Sequence, residues 1–330
     1  MKTVATLALT RRMILAQALA APGVAAGDRY PVRPVVFIVP FGAGSTSDLV
    51  AREVAQGARD QLGQPLMVEN RPGAGGLIGA EALARSAADG YTIGLGTITS
   101  HAVAPAIATS VPFDPLRDFL PIVLLATAPA LFVVHHSVPA TGLADYLAYA
   151  RRRGGSTFTS AGQGSVTHLA GEVLRTRYGA PLEHVSYREI GTALADLLAG
   201  RIEAMCYQPP ALARPIASGM LRPLAAFSDR RLPLFPTLPT ANESLGADDL
   251  DFSSWFGVFL PAAADPSVAT TLQGAMAAAL ARPGLRGAWA TQGLEPIGWG
   301  VERFGAFFHA ETVRWRRVVK AAGMAPPGRL

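Results

Sequence analysis

Two short loops of glycine and hydroxyl residues constrain this chain more than any other feature. Pro40-Phe41-Gly42-Ala43-Gly44-Ser45-Thr46-Ser47-Asp48 follows an apolar run at 35–39. Ser160-Ala161-Gly162-Gln163-Gly164-Ser165-Val166-Thr167-His168 follows a short β-rich run at 157–159. Each stands where a strand hands over to a helix, and the pattern predicts alternating α/β structure. Glycine allows close backbone approach to a ligand. A helix start presents unpaired N–H groups and a partial positive charge. Two such loops facing one another would hold an anion without any Lys or Arg.

The rest of the chain follows the same logic. Helical spacing at 48–62 places Leu49, Val50, Val54, Ala58 and Leu62 near one face. Strands are predicted at 65–69 and 91–96, with a helix at 77–87 between them. Two apolar runs, 122–126 and 130–134, are separated by Pro129 with no helix between. A second α/β series then runs to about 227, followed by a Pro-rich connector at 232–239, a strand at 254–260 and helices at 267–281 and 301–322. Two similar halves joined by paired extended segments predict two lobes around a cleft. The chain would cross near 126–129 and again near 253–256. A single doubly wound domain is the alternative reading.

The first residues read as an export signal. Lys2, Arg11 and Arg12 precede an apolar, Ala-rich stretch that ends in Val24-Ala25-Ala26. Cleavage is expected near Ala26 and localisation in the periplasm, by the general or the twin-arginine route. The stretch is too short for a permanent membrane span. The whole chain carries +5; the segment holds three basic and no acidic residues, which leaves +2. No basic stripe interleaved with aromatics is present, so nucleic acid is not an expected partner. Arg151-Arg152-Arg153 is expected to decorate a helix C-terminus. Cys206, the one cysteine, has no partner for an internal disulfide and reads as a buried apolar residue.

Several chemistries can be weighed. Gly73-Ala74-Gly75-Gly76-Leu77-Ile78-Gly79 lacks dinucleotide-binding spacing and reads as a tight strand-to-helix turn. Ser165 and His168 are one helical turn apart and could serve a hydrolase, but no nucleophile-elbow motif surrounds them. His135 and His136 should point to opposite faces of a strand, one buried and one exposed. His101, His168 and His184 fall near loop or strand ends and could line a pocket or serve the framework. Asp48 could cap the first helix or face the ligand. Trp255 and Phe256 could stack on an aromatic ligand or pack at the hinge. No metal-ligand motif or cofactor motif occurs.

Taken together, longer stretches carry a resemblance. They are Tyr30-Pro31-Val32-Arg33-Pro34 leading to Ile38-Val39-Pro40-Phe41, Val68-Glu69-Asn70-Arg71-Pro72-Gly73-Ala74-Gly75-Gly76, and Asp89-Gly90-Tyr91-Thr92. Phe113-Asp114-Pro115, Gly162-Gln163-Gly164 with His168-Leu169-Ala170-Gly171-Glu172, Leu221-Arg222-Pro223-Leu224-Ala225 and Pro236-Thr237-Leu238-Pro239-Thr240 continue it. The chain resembles the Bug-type extracytoplasmic solute receptors of tripartite tricarboxylate transporters from Tyr30 to about Gly323.

The resemblance implies a two-lobed α/β periplasmic-binding-protein fold, type II-like, with mixed sheets flanked by helices. Lobe 1 would hold 27–127 and 256–330, and lobe 2 would hold 128–255. It implies a small carboxylate ligand, no catalysis, no cofactor, and a monomer that works with membrane transporter subunits; a sensor role would use the same closed form. One side of the site would come from Phe41, Gly42, Ala43, Gly44, Ser45 and Asp48. The other would come from Ser160, Gly162, Gly164, Ser165 and Thr167, with Thr97, Ser100, His168, Tyr187 and Gln208 also expected at the ligand. Three positions depart from the family pattern: Ser45 and Glu189 stand where glycine is usual, and Gln208 where an acidic residue is common. The neutral Gln208 favours a plain carboxylate over an amino acid.

Overall fold

The computed structural model describes residues 30–321, 323, 324 and 326. The expected export signal lies outside the described residues. The first lobe begins as a parallel α/β unit: β1 (Val35–Val39), α1 (Thr46–Leu62), β2 (Leu66–Asn70), α2 (Leu77–Ala84) and β3 (Thr92–Thr97). A π-helical turn, Thr99–Val103, and a short α3 (Ala104–Ile107) lead to β4 (Phe119–Ala128). Pro129 separates β4 from β5 (Ala130–His135), which belongs to a different sheet. The second lobe continues with α4 (Leu143–Arg153), β6 (Ser156–Thr159), α5 (Val166–Arg177), β7 (Leu182–His184), α6 (Ile190–Leu198), β8 (Ala204–Tyr207), α7 (Pro209–Ala217), β9 (Leu221–Phe227) and α8 (Ala241–Leu245). The chain then returns to the first sheet as β10 (Ser254–Pro261), followed by α9 (Pro266–Ala281), α10 (Pro283–Thr291), β11 (Glu295–Trp299) and α11 (Val301–Ala321).

Strand order is β11-β4-β10-β3-β1-β2 in the first sheet and β7-β6-β8-β5-β9 in the second. Both sheets are mixed. β1 is parallel to β2 and β3, while β10 runs antiparallel to β3 and β4. β6 is parallel to β7 and β8, while β5 runs antiparallel to β8 and β9. The parallel strands end beside helix starts, which is where α/β sheets place ligands.

Local physics explains the elements that frame the cleft. β1 is apolar and almost wholly buried, as a strand covered by helices must be. α1 buries Val50, Val54, Ala58 and Leu62 and stops at Gly63, whose left-handed backbone (φ 66°) lets its N–H reach the Arg59 carbonyl. α9 covers α1 so closely that a Cβ on Gly57 would fall 2.7 Å from the Ala279 Cβ. α11 closes the base of the molecule. Its Phe304 sits over Gly257 of β10, and its Trp315 meets Phe252 of the connecting segment at 5.7 Å between ring centroids.

Some expectations change. Ala128, Ser254 and Trp255 belong to strands of the first sheet, not to the second lobe, because pairing between β4 and β10 extends to the point of crossing. His135 and His136 do not diverge: β5 ends at His135 and the turn that follows brings their rings to 4.1 Å. His135 is buried and His136 exposed. Trp255 is enclosed by Phe259, Phe304, Phe307 and Phe308, so it packs at the hinge. Cys206 is fully buried, which pushes its thiol pKa up.

Candidate ligand cleft between the lobes

The two glycine loops adopt the same local geometry. Ser45 N–H donates to the Gly42 carbonyl at 3.3 Å, and Ser165 N–H donates to the Gly162 carbonyl at 3.1 Å. Gly44 and Gly164 hold φ of 78° and 77°, in the left-handed region that glycine enters at little cost. Ser45 caps α1 by accepting from the Asp48 amide at 3.2 Å; Ser165 caps α5 by accepting from the His168 amide at 3.1 Å. The fourth residue after each left-handed glycine turns back to it: Gly44 N–H donates to Asp48 Oδ2 at 3.0 Å, and Gly164 N–H donates to His168 Nδ1 at 3.2 Å.

That back-bonding decides which groups are free for a ligand. The Asp48 carboxylate also takes hydrogen bonds from Arg52 Nε at 2.9 Å and Asn70 Nδ2 at 2.9 Å. Burial pushes its pKa up, but Arg52, the Gly44 amide and Asn70 outweigh that and hold the carboxyl below the usual range. The side chain that caps the helix is therefore that of Ser45, and the Asp48 carboxylate braces its loop from inside. His168 plays the corresponding part. Burial lowers its pKa, so it stays neutral, and an accepting Nδ1 places its proton on Nε2, 3.7 Å from Glu172. Ser165 Oγ meets Thr167 Oγ1 at 3.1 Å and the His168 amide. The described hydrogen bonds include none from Ser165 Oγ to the His168 ring, the bond a hydrolytic pair needs.

A narrow cavity of about 40 Å³ lies between the loops, lined by Phe41, Gly42 and Ser45 from the first lobe. Ser160, Ala161, Tyr187, Arg188, Glu189, Ile190 and Tyr207 line it from the second. It adjoins a wider mouth of about 530 Å³, lined also by Gly162, Gln163, Ser186 and the segment Pro72, Gly73, Ala74, Gly75 and Gly76. The structure thus brings together Phe41, Gly42, Ser45, Ser160, Gly162 and Tyr187 of the expected residues. Ser160 Oγ is tied to His184 Nε2 at 2.8 Å. Burial, with a smaller effect from His168, brings the His184 pKa down to about 4. Tyr187 donates to Asp196 at 2.6 Å, and burial plus that carboxylate push its pKa up to about 12.

The remaining expected residues stand elsewhere. Ala43 and Gly44 are exposed on the outer side of their turn, and Gly164, half-buried, directs its amide to His168. Thr97 and Ser100 are buried and hydrogen-bond each other: Thr97 N–H donates to Ser100 Oγ at 3.0 Å, and Ser100 N–H to Thr97 Oγ1 at 3.2 Å. Thr167 is fully buried and braces the second loop by accepting from the Ala161 amide at 3.0 Å. Gln208 points away from the cavity and donates to Ser254 Oγ at 2.8 Å, at the crossing between lobes. In each case a short polar side chain next to a turn finds a local backbone or hydroxyl partner before it reaches a cleft.

Sequence reasoning named Glu189 only as a departure from the family pattern, missed Arg188, Ile190 and Tyr207 as lining residues, and read the 72–76 loop as a turn alone. That loop holds Gly73, Ala74, Gly75 and Gly76 all at positive φ, which turns its backbone across the mouth. Thr99 was missed as well: its Oγ1 accepts from the Val166 amide across the cleft at 3.3 Å. Among the described residues no three His, Cys, Asp or Glu side chains gather as metal ligands, and no helix is long and apolar enough to cross a membrane.

Comparison with known proteins fits this arrangement. A sequence model described as the tripartite tricarboxylate transporter family receptor matches residues 50–324. Protein BugT of Bordetella pertussis is 36% identical over 310 residues, covering 92% of this chain and 95% of that protein. Among solved structures, the periplasmic binding protein BugD superposes with a TM-score of 0.85 at 31% identity, over 90% of this chain and 99% of that one. R. palustris Rpa4515, solved with adipate, has a TM-score of 0.85 at 34% identity, over 90% and 99%. MatC from Rhodopseudomonas palustris, solved with bound malate, has a TM-score of 0.80 at 28% identity, over 88% and 100%. The chain is a two-lobed α/β periplasmic-type binding protein, and it belongs to the receptor family of the tripartite tricarboxylate transporters.

Proposed function

We propose that this chain captures a small carboxylate outside the cytoplasm by closing its lobes, and presents it to membrane subunits of a tripartite tricarboxylate transporter. The observation that carries the reading is the cavity lined by Phe41, Gly42 and Ser45 on one lobe and Ser160, Ala161 and Tyr187 on the other. Two capped helices start beside it, so the cavity lies in a region of partial positive charge. Relatives of the same fold were solved with adipate and malate, which supports a carboxylate as the ligand class. Closure is driven by contacts that the open form lacks.

The test is a thermal-shift screen of the mature protein against mono-, di- and tricarboxylates, each beside its primary amide. A ligand at about 100 times its dissociation constant adds about 2.7 kcal/mol of stability, well above the noise of such a scan. A shift with an acid and none with its amide supports the reading. Equal shifts with both would overturn it.

A further inference from the structure

Two charged side chains stand on the walls of the cleft, and neither is paired. Arg188 and Glu189 line both the inner cavity and its mouth. Neither side chain makes an ion pair or hydrogen bond among the described residues, where most other charged groups on the surface of this protein do. Glu189 precedes α6 in the second lobe, yet its carboxylate reaches the first lobe: a methyl group added to Gly42 would collide with Glu189 Oε2. The other polar neighbours on the inner wall are neutral. Ser45 and Ser160 are engaged within their own loops, and the Tyr187 hydroxyl donates to Asp196.

We propose that Glu189 is a specificity-determining residue, which selects a carboxylate that also bears a cationic nitrogen and rejects a second carboxylate at its end of the cavity. The proposal rests on the reading of the cleft as a carboxylate receptor and narrows its ligand class. Both residues are exposed to solvent in the cleft, and an occupant of the cavity lies beside them. A ligand with one carboxylate and one ammonium group supplies each with an opposite charge. A dicarboxylate places a like charge beside Glu189, which disfavours it relative to a ligand with an ammonium group there. The expectation of a plain carboxylate is drawn from the neutral Gln208, but Gln208 bonds Ser254 at the crossing, and the acidic group that lines the cleft comes from position 189 instead.

The test is isothermal titration of the mature chain with unbranched monocarboxylates, dicarboxylates and α- or ω-amino acids of two to six carbons. Wild type and two variants, Glu189→Gln and Glu189→Gly, would be compared. The proposal expects the best amino acid to bind at least about tenfold more tightly than the acid and the diacid of the same length, as a charge-assisted contact does over its absence. Both variants should erase that preference, and Glu189→Gly should gain affinity for diacids. A wild-type preference for plain acids or diacids overturns the proposal and leaves the carboxylate receptor standing. A preference for amino acids that survives in both variants also overturns it. If no acid of any series binds, the carboxylate reading itself falls, and this proposal with it.

Discussion

Thr99, in the turn after β3 of the first lobe, accepts a hydrogen bond from the amide of Val166, the first residue of α5 in the second lobe, at 3.3 Å. The N–H at that helical position has no partner inside its own helix, so one lobe satisfies the other. The opposite lobe offers a counterpart. Tyr207, at the end of β8, is buried with its hydroxyl facing Thr46, the first residue of α1. Thr46 Oγ1 itself has no hydrogen-bond partner, so that approach is a polar contact and the Thr99 bond is the formed tie.

Thr99→Val should therefore weaken the closed form while leaving each lobe intact. A net hydrogen bond of this kind contributes about 0.5–1.5 kcal/mol. Ligand affinity is expected to fall by roughly three- to tenfold, with little change in the melting temperature of the ligand-free protein. Titration calorimetry beside a thermal scan reads both quantities, and unchanged affinity would remove Thr99 from the closure mechanism.

Gly44→Ala and Gly164→Ala should act alike. Each glycine holds a left-handed backbone, and a Cβ at either would meet nothing within 4 Å. The cost is conformational, about 1–2 kcal/mol each. Neither residue lines the cavity, so ligand affinity should be retained. Denaturant unfolding would show matching losses. A large loss of affinity with stability preserved would return these amides to the ligand.

Ser45→Ala and Ser165→Ala remove the caps of α1 and α5. Each is expected to destabilise the fold by about 1 kcal/mol, the usual value of a lost N-cap. Because Ser165 is a cap, any weak ester turnover of the purified protein should be unaffected by Ser165→Ala. Turnover that vanishes with this substitution would revive a hydrolytic role.

Stability should fall on mild acidification. Burial lowers the pKa of His184 from 6.5 to about 4 and that of His101 from 6.5 to about 3. Between those values and 6.5 the unfolded chain binds protons that the folded chain refuses. Stability is thus full above about pH 6.5 and declines as pH falls through this window. Melting temperatures measured from pH 7.5 to 4.5 should drop steadily, and His184→Gln should flatten the slope. A slope unaltered in that variant would exclude His184 as a source.

Much of this architecture was legible before any coordinates. Glycine- and hydroxyl-rich loops after apolar strands located both helix starts, and the paired runs around Pro129 located a crossing. The site was legible only in part. Ser45, Ser160 and Tyr187 reach the cavity, but Asp48, Thr167 and His168 face inward to brace the loops. Motif reading sees that a polar side chain is near a loop; it does not see whether a backbone amide claims that side chain first. Glu189 and Tyr207 come from segments far apart in sequence and meet the first loop only through tertiary closure. β11 was not anticipated, since Glu295–Trp299 mixes Pro, Gly and a charged residue and pairs only at the edge of its sheet.

The central claim is that a carboxylate-bearing ligand occupies the cavity beside Gly42 between the lobes, and titration of Gly42→Ala tests it most directly. The added methyl would enter the cavity and press on the flexible end of Glu189, not on backbone, so the fold should survive with a near-native melting temperature. The account predicts that wild type binds its best carboxylate and not the corresponding amide, and that Gly42→Ala loses at least about tenfold in affinity. Wild-type affinity in a folded Gly42→Ala would place the ligand elsewhere and contradict the account.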